Sequence, residues 1–263
     1  MTGVQTCALP IFPDTLAPRA IGALAQKAGS SFSDGTIRGL LASMDRAGID
    51  QALICSIATK PAQFDHIMAW SQSVRSTRLI PLPSVHPKDP HMIGHVRQLH
   101  AAAFPGIKMH PYYQDFTLDD PALFPLYDEL SRLGLILVLH SGFDIAFPRL
   151  RRSDPARTLW LASGWPELRL VATHLGGWDD WDEVERLLLG RPIYLELSFG
   201  PEMLPAERFR RMLLAHPADY LLFGSDSPWT DQKKGLDALR ALDLPEPLFR
   251  KITSENAKRL LDL

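Results

Sequence analysis

Residues 135–140 read LILVLH, five apolar side chains in a row followed by an imidazole. A strand with one face in water alternates apolar and polar residues. A strand covered on both faces is apolar throughout, so this run belongs to a parallel sheet flanked by helices. The same signature recurs in QALICSIA (51–58), RLIPLPSV (78–85), GIKMH (106–110), LRLVATH (168–174), IYLELS (193–198) and YLLFGSD (220–226), which makes seven runs. Segments of helical period lie between them, among them TIRGLLASMDRAG (36–48), PHMIGHVRQLHAAA (90–103), DDPALFPLYDELSRLG (119–134), DDWDEVERLLLG (179–190) and ERFRRMLLAH (207–216). Several open on Asp, Ser or Pro and stop at Gly, which are helix start and stop signals.

Seven strand–helix units suit a closed eight-stranded barrel or an open doubly wound sheet. An open nucleotide-binding sheet would carry a GxGxxG or GxxxxGK[ST] turn, and the chain has neither. The barrel needs one more strand, and its place is the N-terminus. There MTGVQTCALPIF (1–12) has no capping pattern, no alternation and no continuous apolar run. At 263 residues one α/β barrel is of ordinary size.

Charged residues make up 22% of the chain and the net charge is −2, so no basic field is available for a nucleic acid. No apolar run reaches the ~18 residues of a membrane span, and the start lacks the pattern of a signal peptide. Two cysteines, Cys7 and Cys55, make neither a disulfide framework nor a metal finger. The expectation is a cytoplasmic protein that acts on a small molecule, with no nucleic acid or membrane partner.

Polar residues gather at the carboxyl ends of the runs: His86, Lys108, His110, His140, His174 and Asp226. In a barrel these ends form one rim, where active sites of that architecture lie. Four imidazoles and a carboxylate converging there suit Zn²⁺ or a similar divalent ion. Each also has a plainer reading. Asp226, between Ser225 and Ser227, could cap a helix. His86 and His110 precede prolines and could serve loops, and Lys108 could be a buried-stem lysine or pair with an acid in the mouth. His174 precedes two glycines that permit close approach, and could be a ligand, a base or a group that polarises substrate. His66, His91, His95, His100 and His216 fall in helical segments and read as solvated or capping residues. Cys55 reads as core. No GxSxG elbow is present, which leaves a serine hydrolase without support. Arg149, Arg151 and Arg152 could hold a substrate carboxylate or form a solvated loop.

Taken in order, GIKMHP (106–111), VLHSG (138–142), VATHLGGW (171–178), LLFGSDSPW (221–229) and SENAKRLLDL (254–263) resemble the amidohydrolase superfamily. The likeness is to the amidohydrolase-2 group, which includes relatives of aminocarboxymuconate-semialdehyde decarboxylase. The resemblance implies a distorted (β/α)8, TIM-like barrel with a divalent metal, zinc first, at its mouth. It implies a His-x-His on the first strand, a His on the fifth, an Asp on the eighth and a second His on the sixth that handles water or substrate. The last three fall on His140, Asp226 and His174. On this reading His140, Asp226 and His174 are metal ligands, Asp226 and His174 are also catalytic, and Lys108, His110 and Arg149 contact substrate. Self-association as a homo-oligomer is common in such relatives.

The first-strand histidines are missing. FPDTLAPRAI (12–21) follows as the resemblance expects, but Ala8 and Pro10 stand where the two imidazoles would fall. Residues 1–11 resemble a translated sequencing adapter, so they are expected to be a non-native scar in place of the first strand, with one barrel domain over 12–263. Pro10 and Gly3 predict an irregular plug there, or at most a partial strand over 5–9. The function expected is metal-dependent hydrolysis of a small amide, ester or lactone, with weakened metal binding. Decarboxylation by the same type of site is the alternative. A non-catalytic barrel is the third reading.

Overall fold

The computed structural model describes residues 3–9, 11–28 and 31–263. Nine strands are present among them: β1 (Gly3–Leu9), β2 (Ile49–Cys55), β3 (Leu79–Leu82), β4 (Gly106–Met109), β5 (Ile136–Leu139), β6 (Arg169–Ala172), β7 (Tyr194–Glu196), β8 (Leu221–Leu222) and β9 (Ser227–Pro228). Every ladder is parallel. One sheet runs β3-β2-β1-β9 and the other β4-β5-β6-β7-β8. This is the strand order of a TIM barrel, drawn as two arcs. The Lys108 amide donates to the Pro83 carbonyl (2.8 Å) across one seam, and the FGSD turn carries β8 into β9 across the other. No continuous ladder closes the ring among the described residues.

The apolar runs form strands because both faces of each are covered. β5 is buried at all four residues and divides them by parity. Leu137 and Leu139 join the large cluster with helix residues such as Tyr127 and Leu130. Ile136 and Val138 join Leu53, Cys55, Leu82, Val171 and Leu222 in a second cluster, the barrel interior, which Leu260 of the last helix plugs at the far end. Successive strand side chains point to opposite faces, so the interior parity continues from Val138 to His140 and from Lys108 to His110. Helices end where the sequence marks them: Ile37–Ala47 is capped by the Thr36 side chain and stops at Gly48, φ 68°, and Phe124–Leu133 stops at Gly134, φ 64°. No helix among the described residues is long and apolar enough to cross a membrane.

The N-terminal segment departs from expectation. It forms a strand rather than a plug, longer than the partial strand that Pro10 and Gly3 suggest. β1 pairs Gly3 with Ile49, Val4 with Gln51, Gln5 with Ala52 and Ala8 with Ile54, and its register slips twice along that edge. On its other side Ala8 lies level with Ser227 and Leu9 with Pro228. The reason is the one that makes any sheet edge adhesive: β2 and β9 offer unpaired amides and carbonyls to a chain within reach, whatever its side chains. The broken register fits a sequence without the pattern that would fix it. Position 10, the second expected histidine site, lies outside the described residues.

Candidate functional site

The carboxyl ends of β4 to β8 open into a cavity of about 1130 Å³. Its walls include Phe12, Trp70, Tyr113, Trp178, Phe199 and Trp229, and on its floor lie His110, His140, His174, Asp144 and Asp226. No Arg or Lys is among the described residues that line it. Strand direction delivers His110 and His140. For His174 and Asp226 the backbone turns into the left-handed region, with φ 59° and 48°, a conformation that non-glycine residues adopt where the surroundings enforce it. Gly142 allows the loop after β5 to lie against the loop after β6: a Cβ there would sit 2.1 Å from the Trp178 amide nitrogen.

A hydrogen-bonded chain crosses the floor. Glu196 Oε2 and Ser198 Oγ are 2.8 Å apart, and Ser198 Oγ lies 2.8 Å from His174 Nδ1. His174 Nε2 is 3.0 Å from His140 Nδ1, and His140 Nε2 is 2.9 Å from the Phe143 carbonyl oxygen. Two directions of donation are available. If a neutral Glu196 donates to Ser198, then Ser198, His174 and His140 each donate onward, and the last hydrogen points to the Phe143 carbonyl, which can only accept. If Ser198 instead donates to an ionised Glu196, both imidazoles turn their hydrogens the other way, and His140 Nε2 is left as a bare lone pair.

Burial decides the charges. It holds the imidazoles of His110, His140 and His174 well below their ordinary pKa, assisted by one another or by Lys108, so all three rings are neutral at physiological pH. It pushes the Glu196 carboxyl up to about 7. Asp226 is raised well above the usual carboxylate range, first by burial and then by Glu196 and Asp144, against the opposing pull of Lys108. Glu196 also accepts from the His174 amide (3.2 Å) and the Ser198 amide (3.0 Å). Its space exists because residue 224 is glycine: a Cβ there would sit 1.6 Å from Glu196 Oε1.

A second group shares His140. The rings of His110 and His140 stack with centroids 4.1 Å apart. Asp144 Oδ2 stands 3.4 Å from His110 Nε2 and 3.8 Å from His140 Nε2. Ligand atoms of these three residues all lie within 4.8 Å of one another. The other Asp144 oxygen accepts from the Ala146 amide (2.7 Å), which orients the carboxylate.

The sequence-derived candidates fare unequally. His110, His140, His174 and Asp226 come together on one cavity floor. His174 Nε2 faces His140 Nδ1 at 3.0 Å. Lys108 is fully buried beneath the floor, and its Nζ has no hydrogen-bond partner. Arg149 is not among the described cavity-lining residues; it pairs with Asp179 and lies over the Phe143 ring. Arg151 pairs with Asp180. Of the helix histidines, His66 is exposed at the cavity edge and His216 is the C-cap of Ala206–Ala215, buried against the Ile193 carbonyl. His95 is neither solvated nor a cap, since it stacks on Phe64 and pairs with Asp89. Asp144, Glu196 and Ser198 were not anticipated. Glu196 carried a signal, a carboxylate inside the apolar run IYLELS. Asp144 carried little, since it reaches the floor only through the fold of a loop.

The family model described as Amidohydrolase matches residues 24–263. None of the curated proteins matches the chain in sequence. Among solved structures, an uncharacterised TIM-barrel protein from Bordetella bronchiseptica superposes with a TM-score of 0.79 at 18% identity, covering 100% of this chain and 99% of its own. A 5-carboxyvanillate decarboxylase from Sphingomonas paucimobilis gives 0.71 at 14%, with coverage of 100% and 99%. A probable 2-pyrone-4,6-dicarboxylic acid hydrolase from Acinetobacter baumannii gives 0.68 at 15%, with coverage of 100% of both chains. At these identities the likeness is one of fold.

Proposed function

Because the chain belongs to the amidohydrolase family, we propose that its cavity hydrolyses a small, uncharged amide, ester or lactone with the help of a divalent metal ion. The observation that carries this reading is the division of the cavity. His110, His140, His174, Asp144 and Asp226 sit together at the floor under aromatic walls, and no Arg or Lys is among the described lining residues to receive a substrate anion. The residues present fit a divalent ion, since neutral buried imidazoles and a nearby carboxylate are its usual donors. His140 would hold it together with a carboxylate of the floor. When bound, such an ion lowers the pKa of water and polarises a carbonyl.

The chain's own groups account for the protons. The bond that forms joins a water oxygen to the carbonyl carbon, and the bond that breaks releases an amine or alcohol. When Ser198 donates to an ionised Glu196, His174 Nε2 accepts from His140 Nδ1. Exchanging that donor for the water, it takes the water's proton, while Nδ1 stays held by Ser198 and passes charge toward Glu196. Asp226, whose pKa burial raises well above the usual carboxylate range, gives its proton to the leaving group. The products are a carboxylate and the freed amine or alcohol.

Decarboxylation is the second reading, favoured by one feature: a buried carboxyl whose pKa is raised, as that of Asp226 is, can also protonate carbon. A panel of neutral esters, amides and lactones, run beside aromatic carboxylates with zinc supplied, separates the two. Hydrolysis products that fall about 100-fold or more in Asp226→Asn and His174→Gln are expected. Carbon dioxide release from the carboxylates, with the neutral panel untouched, would overturn the hydrolytic reading.

A further inference from the structure

From the geometry of the floor we infer that the divalent ion is gripped on the β4–β5 side of the mouth by His110, His140 and Asp144, a set that uses no residue of β1 and does not require Asp226. Both Nε2 atoms of the stacked imidazoles face one oxygen, Asp144 Oδ2, at 3.4 and 3.8 Å. Two ligands of a tetrahedral zinc ion, each about 2.0–2.1 Å from the metal, stand roughly 3.4 Å apart. The ligand atoms are within reach of one ion, and because an imidazole binds a metal in its own plane, the two near-parallel rings, 16° apart, must tilt toward that point as the ion enters. The Phe143 carbonyl, 2.9 Å from His140 Nε2, is a further oxygen at the same point.

Support comes from behind the ligands as well. Metal-bound histidines hold their second nitrogen in a hydrogen bond that fixes the ring. His140 Nδ1 has that partner in His174 Nε2, which is itself tied to Ser198 and Glu196. When this chain runs toward Glu196, His140 Nε2 is bare and faces a carbonyl and a carboxylate with no hydrogen among them. A cation is what that arrangement lacks. His110 Nδ1 is buried without a partner, so its ring lacks the second-nitrogen support that His140 has. Asp144 is fixed through its other oxygen by the Ala146 amide. All three residues line the cavity, which gives an ion a path in.

This assignment deepens the metal-dependent reading but is tested by binding alone, so it can fail while hydrolysis stands and hold while hydrolysis fails. The full chain, stripped with a chelator, is titrated with Co²⁺ and followed by its visible absorption, and with Zn²⁺ by calorimetry. One equivalent is expected to bind with the spectrum of a four-coordinate ion. Asp144→Asn and His110→Gln should each weaken binding about 10- to 100-fold, the range of a lost ligand or its support. Asp226→Asn should change it less than about 3-fold on the same footing. Circular dichroism of each variant verifies the fold, and Asp144→Asn keeps the oxygen that accepts from Ala146. No stoichiometric binding, or a loss in Asp226→Asn equal to or larger than that in Asp144→Asn, overturns the assignment.

Discussion

Glu196 is the group whose replacement speaks most directly to the floor. Its carboxyl is fully buried, and its pKa rises from the ordinary 4.5 to about 7. The unfolded chain therefore gives up this proton about two and a half pH units before the folded one. The folded-state pKa is raised, so the stability tied to it is fully present below about pH 4.5 and is lost as pH climbs to about 7, a loss of about 3 kcal/mol. Glutamine has the same shape; with its NH2 toward Ser198 it deprives the His174 amide of the acceptor it has in Oε2, a cost that does not vary with pH. The gap in melting temperature between Glu196→Gln and the parent protein should therefore move in favour of the variant by roughly 10 °C between about pH 4.5 and about pH 7, scaled for a chain of this size. The buried histidines act in the opposite sense. Their depressed pKa values contribute stability above about 6.5 that fades as pH falls, but both proteins share that trend and the difference between them removes it. Melting curves of the two proteins across that range are the assay. Parallel midpoints at every pH would show that Glu196 ionises normally in the folded state, and the neutral direction of the chain would fall with it.

Ser198→Ala cuts the link between Glu196 and His174, and turnover should drop about 10-fold or more while Ser198→Thr restores it, as steady-state rates would show. Gly224→Ala places a Cβ where Glu196 Oε1 sits, so the variant should melt several degrees lower or fail to fold, and combination with Glu196→Ala should recover part of the loss. Because Ala8 lies level with Ser227, next to Asp226, a double Ala8→His, Pro10→His variant should add metal-binding capacity beyond the single equivalent or tighten it at least 10-fold, measured by elemental analysis against a Pro10→Val control.

Much of the architecture was legible because it rests on local rules. LILVLH and its six counterparts are apolar through their length, which only a doubly covered parallel strand requires, and all of them became the strands β2 to β8. The residue that ends each strand was legible for the same reason: period two and strand direction carry His110 and His140 to the rim. The N-terminal strand was not, since its formation depends on open edges of β2 and β9 rather than on its own side chains.

By itself, then, the sequence determined the alternation of strand and helix, the family and the rim histidines, because each follows from residue type at a fixed spacing. Tertiary structure alone decided how those histidines are placed relative to one another. It turned His174 toward His140, sent Arg149 out to Asp179, and folded the loop after β5 so that Asp144 meets two imidazoles. It also buried Glu196 against Gly224, 28 residues further along the chain. Such pairings depend on the distance and orientation of groups remote in sequence, and on a dielectric that exists only once the barrel has closed around them.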